Sequence, residues 1–159
     1  MSTNHDKFLE ALDDSRRAVF AVAEWVTRQG LDVLIPGETR ADKFEDREAH
    51  SDKGDMFIKS KDKYLRAEVR HHREGKWTGV DDWPSRNVYG AIVGPVRNYS
   101  ENIYAWFHVN ADMTHFYQVR QDSKVSWSTH AVPDGQTGLP KDNYFAPLIH
   151  VSFRSIGGK

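Results

Sequence analysis

Asp55 and Glu68 flank a stretch whose two arms alternate apolar and polar residues around Lys61-Asp62. Met56, Ile58, Leu65, Ala67 and Val69 fall on one face. Asp55, Lys59, Arg66, Glu68, Arg70 and His72 fall on the other, with Phe57 and Tyr64 among them. Alternation of period two marks strands with one buried and one polar face. A turn centred on Lys61-Asp62 pairs Ser60 with Lys63 and, stepping outward, sets Asp55 opposite Glu68. Their Cβ atoms would then lie roughly 5 Å apart. Two carboxylates so close repel unless a cation sits between them or one takes a proton. Arg70, two residues past Glu68, shares its face. Two acids beside a fixed cation are the groups that metal-assisted phosphodiester hydrolysis needs. Carboxylates hold Mg²⁺, a hard ion that prefers oxygen, and a guanidinium contacts the scissile phosphate.

The elements that would carry these residues are legible around them. Phe8, Leu12, Val19, Val22 and Val26 recur at helical spacing, and Asp13/Arg17 and Glu24/Arg28 are spaced as supporting charge pairs. A helix is therefore expected from Asp6 to Gln29, stopped by Gly30 and preceded by a polar tail over 1–5. Leu31–Ile35 reads as a short buried strand, and the charged residues 38–54 as a loop with a helical turn around Asp42 to Ala49. After the hairpin, residues 73–87 form a loop carrying Trp77 and Trp83. Strands are then expected over Val88–Val93, Ile103–Asn110, Met113–Arg120, Lys124–His130 and Leu148–Phe153. A Gly/Pro-rich loop spans Pro133–Tyr144.

One helix followed by strands predicts a single α+β domain over 1–159, the N-terminal helix packing on a mixed, mainly antiparallel sheet. Helix with Glu24, strand, strand headed by Asp55, then strand with Glu68-x-Arg70 resembles the N-terminal half of the PD-(D/E)XK, or restriction endonuclease-like, superfamily. That resemblance implies a restriction endonuclease-like core of a helix, a strand meander, a second helix and a further strand. It also implies a Mg²⁺- (or Mn²⁺-) dependent nuclease acting on DNA. Asp55 and Glu68 would be its metal ligands, Glu24 an auxiliary acid, and Arg70 would occupy the family's lysine position. Arginine does not shed a proton near neutral pH, so Arg70 would stabilise charge rather than act as a base; Lys59 or Lys53 could supply an amine. No clear amphipathic helix follows Arg70. The replacement of lysine opens the alternative of a catalytically silent module that keeps the fold and binds nucleic acid or protein. Acids interleaved with lysine and arginine also describe an ordinary solvated face, and Glu24 is equally an exposed partner for Arg28.

Composition sets outer bounds. The chain has 159 residues, 38% hydrophobic and 28% charged, which suits one soluble globular domain. A net charge of −1 argues against a DNA coat protein, though not against a local basic cleft. The lack of cysteine excludes a disulfide framework and a thiolate zinc site. A cytoplasmic protein with no membrane partner, and a possible homodimer, is the resulting expectation. His71 and His72 point to opposite faces of their strand. In the Ile103–Arg120 hairpin, a turn around Ala111-Asp112 would set His108 opposite His115. Such a pair would need a third ligand to hold zinc or copper, and cross-strand histidines are usually incidental. Trp77 and Trp83, near Arg73 and Lys76, suit either stacking on a base or anchoring their loop in the core. Anchoring is the expectation.

Overall fold

The chain is described by a computed structural model covering residues 4–36, 55–85, 87–134 and 137–157. Helix α1 (Asn4–Arg28) buries Ala18, Val19, Val22, Ala23 and Val26, the three- and four-residue spacing that defines one apolar stripe. Gly30 ends it at φ 89°, a left-handed conformation that costs glycine little. Strand β1 (Val33–Leu34) follows and pairs antiparallel with β2 (Met56–Ser60), which pairs antiparallel with β3 (Lys63–His71). The proposed helical turn around Asp42 to Ala49 lies outside the described residues.

Next comes β4 (Ala91–Pro95), which belongs to a different sheet. Strand β5 (Ile103–Val109) returns to the first sheet and lies parallel to β3. Then β6 (His115–Arg120) pairs antiparallel with β5, β7 (Ser128–Pro133) and β8 (Pro140–Ala146) join β4, and β9 (Val151–Ser155) closes the first sheet beside β6. The orders are β1-β2-β3-β5-β6-β9 and β4-β8-β7. The fold is α+β, with one N-terminal helix among the described residues and a mixed, mainly antiparallel main sheet.

Two cores flank that sheet. The helix stripe packs on Met56, Ile58, Ala67, Val69, Ala105, Phe107, Val109 and Phe116. Arg73, just past β3, bridges Glu10 and Asp14 of α1 at 2.7 and 2.9 Å. The opposite face carries Trp106, Tyr117 and Val119 and meets Ala91, Val93 and Ala146 of the smaller sheet. Glu68 and Arg70 alternate with Ala67 and Val69 along β3 and so face the smaller sheet, away from the helix. Trp77 and Trp83 anchor their loop in this second core, with ring centroids 5.0 and 5.7 Å from Tyr117.

Several expected elements shift. Gly94-Pro95 lies inside β4 rather than closing it. Proline is tolerated because β4 is an edge strand, with a register irregularity between Ile92 and Gly94. Residues Gln121–Ser126 form a 3-10 segment, so the strand expected from Lys124 begins only at Ser128. Part of the Gly/Pro-rich loop is β8, and the last strand starts at Val151 after a 3-10 turn over Leu148–His150.

The β5–β6 hairpin corrects a register. His108 faces Tyr117, not His115. Asn110 wraps the loop: its Oδ1 accepts from the Thr114 and His115 amides at 3.0 Å each, and Nδ2 donates to Trp77 O at 3.1 Å. Met113 takes φ 59° to complete the turn. A tight turn around Ala111-Asp112 is thereby replaced by a longer loop closed by a side chain. Asn110→Ala should cost about 1–3 kcal/mol, because it strands buried amide partners. Urea unfolding measures this, and a loss within error of zero would remove Asn110 as the loop's clasp.

Candidate active site

The β2–β3 register follows the alternation of its residues: Ser60 pairs with Lys63, Ile58 with Leu65 and Met56 with Ala67. The next step outward sets Asp55 beside Glu68. Asp55 lies one residue before β2, where the backbone ladder runs out, and its Oδ2 accepts the Val69 amide at 2.6 Å. Both acids are half-buried. Oε1 of Glu68 accepts from Arg66 Nη2 at 2.6 Å and Nε at 3.1 Å, while Oε2 has no hydrogen bond among the described residues.

Arg70 completes the cluster. Burial pulls the guanidinium below its ordinary pKa, and the negative charges of Glu68 and then Asp55 push it back up. An arginine remains a cation throughout the accessible range. It makes neither a hydrogen bond nor an ion pair with a described residue. Two carboxylates and two guanidiniums, from Arg66 and Arg70, therefore meet at one end of the ribbon.

Parallel pairing places Glu68 beside Trp106 and Arg70 beside His108. His108 is fully buried and stacks on Tyr117 at 4.5 Å. His108 Nε2 lies 3.0 Å from the Val93 carbonyl, which only accepts, so that nitrogen carries the proton. His108 Nδ1 is then an acceptor and His72 Nε2, 2.7 Å away, the donor. Burial, then Arg70 and His71, lowers His72 to about 4; burial, then His72 and Arg70, lowers His108 as well. Neither Trp106 nor this histidine pair stood out as part of a site in the sequence, because both depend on β5 lying beside β3.

Glu24 is not brought to the acids. It is exposed on α1 and pairs with Arg28 at 2.8 Å, while α1 packs on the face opposite Glu68 and Arg70. Lys59 is exposed near the far end of β2, and Lys53 lies outside the described residues. No group of three or more His, Cys, Asp or Glu side chains suited to a metal occurs among the described residues. Two carboxylates nonetheless match the donor set Mg²⁺ commonly takes from a protein, with water and substrate phosphate filling the other positions.

No helix among the described residues is long and apolar enough to cross a membrane. No family model matches the chain. Neither the curated proteins nor the solved structures contain a match to it.

Proposed function

We propose that the protein is a metal-dependent nuclease of restriction endonuclease-like ancestry, hydrolysing DNA phosphodiesters at the Asp55 end of the β2–β3 ribbon. The observation that carries this reading is the apposition of Asp55 and Glu68 with Arg70 on the same face. The order of elements supports it: a helix, an antiparallel β1–β2–β3 meander, then a crossover that returns β5 parallel beside β3. The crossover departs from the family pattern, since it carries β4 in place of a helix and the site face is covered by a second sheet.

Asp55 and Glu68 would hold Mg²⁺ or Mn²⁺, which supplies Lewis acidity toward water and phosphate. The chain's own residues do the rest. The Val69 amide fixes the Asp55 carboxylate, Arg66 orients Glu68, and Arg70 places a permanent cation where charge builds on the phosphate. Arg70 cannot take a proton from water, so it acts through charge and position.

A second reading is favoured by the Arg66–Glu68 ion pair, which already neutralises one of the two acids. On that reading the module is catalytically silent and retains nucleic acid or protein binding. Incubation with single- and double-stranded DNA in Mg²⁺, Mn²⁺ or chelator separates the two. Metal-dependent cleavage supports the nuclease. DNA retained without cleavage and without metal binding gives the silent module, and neither binding nor cleavage of DNA overturns the nuclease.

A further inference from the structure

We infer that the crevice beside Gly94 is an oxyanion pocket, in which the Arg70 guanidinium and the Trp106 indole N–H together hold one oxygen of a phosphate group. The identification of the oxyanion as phosphate rests on the nuclease reading above; the donor geometry stands without it.

The pocket is defined by an absent side chain. A Cβ at Gly94 would lie 3.6 Å from Arg70 Nη2, 3.8 Å from Arg70 Nε and 3.8 Å from Trp106 Nε1. Three nitrogen donors therefore surround the space that a methyl group would fill. The cavity there is about 10 Å³, enough for one water molecule or one anion oxygen. Pro95, Tyr99 and Tyr144 wall it.

Neither donor has an acceptor among the described residues. Trp106 is 5% exposed, and its N–H bonds to no described residue, whereas that of Trp127 donates to Ser123 Oγ at 2.9 Å. Arg70 has no hydrogen bond or ion pair with a described residue, and Glu68 and Asp55 act on it through space. Arg70 is half-buried, so solvent can reach a guanidinium that no described side chain pairs with directly. Guanidinium and indole offer donors only, so whatever fills the pocket must accept, and the positive charge selects an anion over water. Lys124 Nζ lies 4.6 Å from the Tyr99 ring and 5.5 Å from that of Tyr144, two of the walls. Glu68 neighbours Trp106 across the parallel pairing, so a phosphate oxygen seated here lies beside the acid pair.

The five tryptophans each give one indole N–H resonance, and Trp106→Phe identifies the one of interest. With EDTA present, the protein is titrated with inorganic phosphate and, separately, with a thymidine trinucleotide with and without a terminal phosphate. The Trp106 signal is expected to move saturably with the phosphate-bearing probes. Gly94→Ala makes only ordinary van der Waals contacts, so it should fold normally yet fill the pocket and weaken binding by about tenfold or more. Tighter binding of the terminally phosphorylated trinucleotide assigns the pocket to nucleic-acid phosphate, and tighter inorganic phosphate assigns it to the free anion; either supports the pocket. A Trp106 signal that ignores every phosphate probe overturns it, as does equal affinity in Gly94→Ala. Because metal is excluded, the outcome is independent of whether DNA is cleaved.

Discussion

Glu68→Gln and Asp55→Asn should each reduce Mg²⁺-dependent DNA cleavage by about a hundredfold or more, with little change in thermal stability. Each substitution removes one negative charge and keeps the side chain's shape. The asparagine still offers an oxygen to the Val69 amide, so the hydrogen bond that ends the β2–β3 ladder survives. The glutamine still offers an oxygen to Arg66, though without the charge that strengthens that contact. What each variant loses is half of the anionic pair. Arg66→Gln tests the same geometry from the other side. It releases Glu68 from its ion pair and should tighten Mn²⁺ binding several-fold, read by calorimetry. Cleavage that persists unchanged in both acid variants places the chemistry elsewhere.

The second large effect is acid instability originating in the His72–His108 pair. Both rings are held neutral by burial beside Arg70, so both native pKa values lie below the unfolded value of about 6.5. Below that pH the unfolded chain binds protons that the native fold refuses, and stability falls as pH falls. For His72 the loss begins near pH 6.5 and runs down to about 4, at a slope approaching about 1.4 kcal/mol per pH unit. His108 adds to it in the same direction. A proton on His108 Nδ1 also removes the acceptor for His72 and breaks the chain of hydrogen bonds leading to Val93 O. His72→Gln keeps a donor to His108 but does not titrate, and should flatten the fall in melting temperature by roughly half. A wild-type melting temperature that stays level from about pH 7 to about pH 5 would rule out this account.

Local patterns carried much of this structure. Helix α1 follows from Val19, Val22 and Val26, and its end from Gly30. The β2–β3 register follows from a period-two pattern and a two-residue turn, and Asp55 lies one step beyond its last pair. Where pairing is distant, the chain gives no such sign. The parallel contact of β3 with β5 requires a long crossover, and it alone puts Trp106 beside Glu68 and His108 beside Arg70. The smaller sheet is hidden for a similar reason, since β8 begins at a proline within a stretch rich in turn residues. Alternation sets His108 opposite His115, whereas the clasp formed by Asn110 lengthens the loop and brings Tyr117 there, a side-chain effect that alternation does not register. Glu24 illustrates the converse limit. Helical spacing named its partner, Arg28, but could not say on which side of the sheet the helix would settle.

The smaller sheet lies over the polar face of β3 like a ceiling, and Gly94 faces Arg70 from it. A broad, stiff polymer cannot press flat against a surface covered in this way. What reaches Arg70 must protrude: a frayed terminus, a kinked backbone or a lone terminal group. Steric selection of that kind is set by how far β4 stands off from β3, and a single methyl group on β4 is enough to alter it.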